Sequence, residues 1–387
     1  MSMLDGWDGW DGWDGWDGWD GWGGDSSRRA GPGGGSVIGL LRSREAIVGG
    51  VSAGADRTAW LPRDQGNLPQ AHDSNALARW SPAIRQRIVV GELLGAVKFV
   101  GGNADNGKEA SVALQTQGGV PIATVVRPPK EVFAHQAKLV EAWAVHRAER
   151  APEIESQLQL NLAYWGAIVP LDPRNTPYTV ELLLLAVAFA SHVVQRFKHE
   201  LNCPRPRQYS PHIQPMLADP PYAAMPSGHA TESFMLAKLL TSLLTAGQEK
   251  GSAGNEWAGE ATIQLNKLAT RIATNRVVAG IHFPVDTAAG CALGMSLAEF
   301  IAGSETSGTW TARTFDVGGK STAACNYEFD PSRQDFVTPE NTAKAAPDLG
   351  LVHWLWTKAR TEWPSSSTTR DKINADASGS QRSTKSP

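Results

Sequence analysis

Residues 177–206 read PYTVELLLLAVAFASHVVQRFKHELNCPRP. A proline opens the stretch, apolar residues recur at helical spacing, and asparagine and two prolines close it, which predicts a helix over 177–201. The apolar run Leu182 to Ala190 is too short to cross a bilayer and is soon followed by His192, Gln195 and Arg196. The other apolar stretch, Ala288 to Ala298, is bounded by Asp286 and Glu299. Both are expected to be buried helices, with no transmembrane segment, in a protein that is cytoplasmic or otherwise soluble. The helix over 177–201 also ends on cations, with Lys198 in its last turn and Arg205 just beyond it.

Working outward, the same periodicity predicts helices over 131–149, 153–167, 229–247, 257–280 and 285–303, and one more over 348–362. Residues 129–305 are therefore expected to form a helical catalytic domain. The connection carrying Pro204, Pro206, Pro211, Pro215, Pro220, Pro221 and Pro226 cannot be helical throughout and reads as a rigid loop. Before it, residues 37–128 are mixed. Leu41 to Val51 and Ile84 to Phe99 have helical spacing, and Val120 to Val126 looks like a short extended segment. Residues 306–363 read as a C-terminal extension and 364–387 as a disordered Ser/Thr-rich tail. At the other end, residues 5–22 are six tandem copies of Asp-Gly-Trp. Glycine at every third position suits neither helix nor strand, so 1–36 reads as a disordered low-complexity leader. The fold class expected from this pattern is all-α, a helical bundle with disordered N- and C-terminal tails.

A net charge of −3 gives no support to a nucleic-acid or membrane-surface role. Cys203, Cys291 and Cys325 are far apart, with no zinc spacing and no disulfide framework. No basic and apolar leader marks a signal peptide.

Three clusters carry the chemistry: Lys198 to Arg205-Pro206 (K-x6-R-P), Pro226-Ser227-Gly228-His229, and Arg276 to His282 to Asp286 (R-x5-H-x3-D). Each alone has a plain structural reading. Lys198 and Arg205 complement a helix dipole. Ser227 is an N-cap. Arg276 and Asp286 form a helix-end ion pair. Together they supply three cations, a hydroxyl, a glycine N–H at a helix N-terminus, two imidazoles and a carboxylate. That set is what holding a tetrahedral oxyanion and attacking it through histidine requires.

The order and spacing of these residues resemble the signature of the superfamily that joins type-2 phosphatidic acid phosphatases, bacterial class A acid phosphatases and vanadium-dependent haloperoxidases. The resemblance implies a helical bundle with the site inside it. It implies that Lys198, Arg205 and Arg276 hold equatorial oxygens with Ser227 and the Gly228 N–H. His229 becomes the general acid/base, His282 the nucleophile or the single protein ligand of vanadium, and Asp286 the orienting carboxylate. Asn275 departs from the phosphatase pattern, which has serine before the arginine. The implied partners are small molecules: halide and hydrogen peroxide with vanadate as cofactor, or a phosphomonoester with none. An aromatic residue, Tyr222, just upstream of the Ser-Gly-His resembles the haloperoxidase halide pocket and tips the expectation toward that activity. The His-Phe-Pro-Val-Asp run at 282–286 is phosphatase-like and supports the alternative, a soluble acid phosphatase working through phosphohistidine.

Overall fold

A computed structural model of the protein describes residues 73–102, 110–159, 161–246, 248, 252–306, 308–318, 335–342 and 347–363. The chain divides into two units, Met1–Leu68 and Pro69–Pro387, and everything described lies in the second. The tandem-repeat leader, the helix expected over 41–51, Cys325 and the tail from 364 onward all lie outside the described residues.

In chain order the elements are α1 (Pro82–Ala96), β1 (Val97–Gly102), β2 (Ser111–Thr116), β3 (Pro121–Val126), α2 (Lys130–Trp143), α3 (Arg147–Ser156), the short α4 (Ala163–Gly166), α5 (Pro177–Leu201), α6 (Gly228–Thr245), α7 (Ala253–Val278), α8 (Pro284–Thr306), β4 (Thr311–Phe315), β5 (Val337–Asn341) and α9 (Gly350–Arg360). Helix α5 falls on the bounds its periodicity predicts. Leu182, Leu183, Leu185, Phe189, Val193 and Phe197 are all fully buried along it, each worth about 1.5–3 kcal/mol. Helix α6 packs chiefly on α8 and α7, with α5 alongside. Its approach to α8 is close because α8 presents glycines. A Cβ on Gly290 would sit 2.7 Å from the Ser227 carbonyl and 2.8 Å from the Ala230 Cβ, and one on Gly294 would collide with the Thr231 carbonyl. This contact fixes the first turn of α6 against the first turns of α8.

The all-α expectation is overturned by a five-stranded mixed sheet of order β1-β2-β3-β4-β5. Neighbours are antiparallel except β3 and β4, which run parallel with Ala123 opposite Arg313 and Val125 opposite Phe315. The connection between those two parallel strands is the whole helical region from α2 to α8, so the sheet gathers the segments before and after the bundle and packs on α8. Helical spacing across 84–99 concealed β1: Val97 and Phe99 continue the apolar rhythm of α1, but the helix stops at Ala96. Strands β4 and β5 are five residues each and gain their order from a distant partner rather than from local pattern.

Two other expectations change. The helix expected over 131–149 ends at Trp143 and resumes as α3 after a 3₁₀ turn, and Pro152 lies inside α3 rather than before it. The expectation that no segment is long and apolar enough to span a membrane also fails, since Pro177–Gln208 and Pro284–Gly303 both qualify by length and composition. Most of the apolar window of each is buried inside the protein.

Carboxylates tie the outer helices to the bundle. Glu362 accepts from the Tyr178 and Thr179 backbone N–H groups at 2.8 Å each, capping the N-terminus of α5. Glu92 does the same for Leu351 and Val352 of α9. Arg85 forks onto Glu181 with both contacts at 2.8 Å or less, joining α1 to α5.

Candidate active site

Each motif residue is delivered by the end of an element. Helix α5 ends because Asn202 turns left-handed (φ 44°), which asparagine tolerates, and this places Lys198 in the final turn. The loop beyond carries Arg205, whose backbone N–H donates to Gln208 Oε1. Helix α6 starts at Gly228 with Ser227 as its N-cap. The Ser227 Oγ accepts from the Ala230 N–H at 3.4 Å, while the Ser227 N–H donates to the Asp286 carbonyl. Helix α7 places Arg276 in its last turn and closes at Gly280, φ 83°, where a Cβ would meet the Arg147 guanidinium at 2.7 Å. Helix α8 opens with Pro284, and the Asp286 Oδ2 accepts from the Phe283 N–H at 2.9 Å. Asp286 thus caps its helix with the same oxygen that meets His282.

The eight positions converge on one buried place. Lys198 is 2 % exposed and Arg205 5 %, while Ser227, Arg276 and Asp286 are fully buried. Lys198 Nζ donates to the carbonyls of Ala223 and Ala224, both at 2.9 Å. Arg205 donates to the carbonyls of Tyr222, Ala223 and Ile281, and its Nη1 lies 3.3 Å from His282 Nε2. The Tyr222 ring lies over both cations, 5.0 Å from Lys198 Nζ and 5.4 Å from the Arg205 guanidinium carbon. Arg276 Nη2 donates to the Ile154 carbonyl at 3.0 Å, but its Nε and Nη1 have no partner among the described residues. A buried guanidinium with two idle donors is costly unless an anion completes it.

His282 Nδ1 stands 3.1 Å from Asp286 Oδ2. Burial, and then the charges of Arg205 and Lys198, push the His282 pKa well below its ordinary value. Burial also lifts the Asp286 carboxyl to about 7, against the pull of the Phe283 N–H and of Lys198 and Arg205. Although the separation is within ion-pair range, the neutral imidazole makes it a hydrogen bond, with Nδ1–H donating to Oδ2. That fixes the tautomer and leaves Nε2 with its lone pair among the cations. His229 is also neutral, lowered to about 3 by burial and by Arg276, and its Nε2 donates to the Gln157 carbonyl at 2.9 Å. Lys198 is depressed by burial and by Arg205, and Arg276 falls to about 10 by burial.

Residues outside the motifs complete the site. Gln157 offers its carbonyl to His229 and its Oε1 to Asn275 Nδ2 at 2.9 Å and Arg276 Nη2 at 3.4 Å. Asn275 therefore has work to do in its own right, holding the glutamine that braces both Arg276 and His229. Gln157 carries no sequence signal. Glu232 carries one, the sole carboxylate of α6; it reaches the site beside Lys198 and burial raises it to about 7. Cys203 proves a core filler, buried and raised to about 12 by that burial.

Residues 180–305 match the model of the PAP2 superfamily. The match spans α5 to α8 and contains all eight motif positions; members of that superfamily are generally phosphatases or related enzymes acting on small molecules. No curated protein matches the chain.

The site's chemistry fits both groups such an enzyme handles. Idle donors on Arg276 and an imidazole nitrogen whose lone pair faces the Arg205 guanidinium suit a tetrahedral phosphoryl group, and they suit vanadate equally, since vanadate is stable in the five-coordinate geometry phosphorus passes through.

Proposed function

We propose that this protein is a phosphomonoester hydrolase that transfers the phosphoryl group to Nε2 of His282. The observation that carries this reading is the fully buried Arg276, with Nε and Nη1 unpartnered, in electrostatic range of His282. Lys198, Arg205 and Arg276 would hold the equatorial oxygens with the Ser227 hydroxyl and the Gly228 N–H. The α6 N-terminus adds its partial positive charge. His282 Nε2 attacks in line, the bond to the ester oxygen breaks, and that oxygen takes a proton from His229. Water then gives a proton to His229 and displaces phosphate from His282. In the second step Asp286 keeps the departing imidazole in its Nδ1–H form. The neutrality of His229 without substrate is consistent with this role: a bound dianion supplies the charge that raises its pKa.

A second reading, a haloperoxidase, has one specific observation behind it. The half-exposed Tyr222 ring covers the Lys198–Arg205 cation pair, which places an aromatic wall at the edge of the site. In that case His282 Nε2 would ligate vanadate and the same donors would hold its oxygens. When bound, vanadate supplies a Lewis acid that activates hydrogen peroxide toward halide. The cavity beside His229 weighs the other way, because its wall carries the Glu232 carboxyl, a poor neighbour for a halide anion.

The test is hydrolysis of a chromogenic phosphomonoester by the purified protein, with acid quench to trap an acid-labile phosphoenzyme. Turnover inhibited by vanadate, with label lost in His282→Ala, is the expected result. Vanadate-dependent bromide oxidation without hydrolysis would reverse the order of the two readings.

A further inference from the structure

Beside His229 lies a cavity that the transfer chemistry leaves unused. Gln157, Gln159, Asn161 and Tyr164 line one side, and Trp165 and Ile272 contribute apolar surface. Glu232, on the same helix one turn beyond Gly228, forms the wall next to the general acid. Its Oε1 lies 3.9 Å from where a Gly228 Cβ would be. No hydrogen bond or ion pair to another described residue satisfies this carboxyl. The cavity wall holds amides, a phenol, a hydroxyl and one carboxyl, and neither lysine nor arginine.

In the mechanism proposed above, on which this inference rests, the leaving oxygen departs on the His229 side, and the cavity that shares His229 is where its alcohol would lie. We propose that Glu232 is a specificity-determining residue that selects phosphomonoesters whose alcohol carries an ammonium or neutral hydroxyl groups and rejects those carrying a second anion. The argument is one of charge and desolvation. An ammonium entering here meets a carboxylate and an indole face, both attractive to a cation. Hydroxyl groups find the amides of Gln159 and Asn161. A carboxylate or second phosphate finds an acid and no compensating cation, and its desolvation goes unrepaid. Burial lifts the Glu232 carboxyl to about 7, and the charge of Lys198 opposes that rise, so a fraction is ionised at neutral pH.

A plainer role exists for Glu232: balancing the charge of Lys198. The two roles separate in kinetics. Balancing Lys198 alters the affinity for every phosphate alike, whereas selecting the alcohol alters the ratios between substrates.

The experiment measures kcat/KM of the full-length protein on phosphoethanolamine, glycerol phosphate and 3-phosphoglycerate, for wild type, Glu232→Gln and Gln159→Lys. Inorganic vanadate inhibition serves as the common anion-site reference. Wild type should prefer phosphoethanolamine and glycerol phosphate over 3-phosphoglycerate by at least tenfold. Glu232→Gln should shrink that ratio severalfold with vanadate inhibition little changed. Gln159→Lys, which adds a cation at an exposed part of the wall, should raise turnover of 3-phosphoglycerate. Ratios that stay within twofold in both variants, or rates that change uniformly, overturn the inference while leaving the hydrolase reading intact. Absence of hydrolysis in wild type on all three substrates and on the chromogenic ester overturns both.

Discussion

His282 Nδ1 lies 3.1 Å from Asp286 Oδ2, one helical turn away, and this contact turns Nε2 toward Arg205 Nη1 at 3.3 Å. The carboxylate therefore decides which imidazole nitrogen keeps its lone pair. Its second oxygen has no partner among the described residues, so a neutral amide can replace the carboxylate without steric cost, but one rotamer presents N–H where Oδ2 accepted. Asp286→Asn should lower kcat by a factor on the order of 10³–10⁴ with little change in KM. Far-UV circular dichroism should be unchanged. Activity within tenfold of wild type would remove Asp286 from the mechanism.

Arg276 should make anion binding visible as stability. Phosphate at about a hundred times its Kd adds about 2.7 kcal/mol to the folded state, enough to raise Tm by a few degrees. In Arg276→Ala that rise should vanish. Arg276→Lys should restore it only in part, because a point charge cannot present two parallel donors. Calorimetry with phosphate and with chloride as control checks this, and an equal rise in wild type and Arg276→Ala would place the anion elsewhere.

Glu232 should couple folding to pH. Its carboxyl is raised from near 4.5 to about 7, so between those values the folded state holds a proton that the unfolded chain has released. Stability contributed by this group is present below about 4.5 and is lost as pH rises toward 7. Glu232→Gln removes that loss. Measured by urea unfolding, the stability of the variant relative to wild type should climb between pH 4.5 and 7, with a slope approaching 1.4 kcal/mol per unit, about one proton's worth. It should be flat above. His229 and His282, both depressed, contribute the opposite slope, but equally to the two proteins. A difference independent of pH would show that Glu232 is not buried from water in solution.

Glu362 tests the frame rather than the site. Its carboxylate caps α5 through the Tyr178 and Thr179 N–H groups and also accepts from the Thr179 hydroxyl at 2.6 Å. Glu362→Ala should cost about 1–2 kcal/mol, read as a lower urea midpoint, while kcat stays near wild type because Lys198 sits at the other end of a 25-residue helix. A large loss of activity at full folding would mean that the position of α5 is set at its N-terminus.

The legibility of this protein differs between its parts for identifiable reasons. The bundle helices were readable because α5, α6 and α8 bury apolar residues at a regular local period, and the PAP2 match falls on the segment they span. The candidate residues stood out as clusters because they lie at or just beyond helix ends, where short-range spacing sets position. The sheet was not, since β3 meets β4 across nearly two hundred residues and neither strand carries enough pattern to announce its partner. Nor was Gln157, whose importance rests on which carbonyl comes to lie 2.9 Å from His229.

By itself, then, the order of residues determined the long helices and the membership of the chemical set, because helical period and charge type are local properties. Tertiary packing alone decided that the bundle is clasped by a mixed sheet and that the glycines of α8 let α6 approach closely. It also decided that His282 presents Nε2, that two donors of Arg276 remain idle, and that a carboxyl rather than a cation guards the cavity beside His229. These depend on burial and on distances between elements far apart in the chain, which set each group's desolvation and hydrogen-bond partners and are encoded in no single stretch of it.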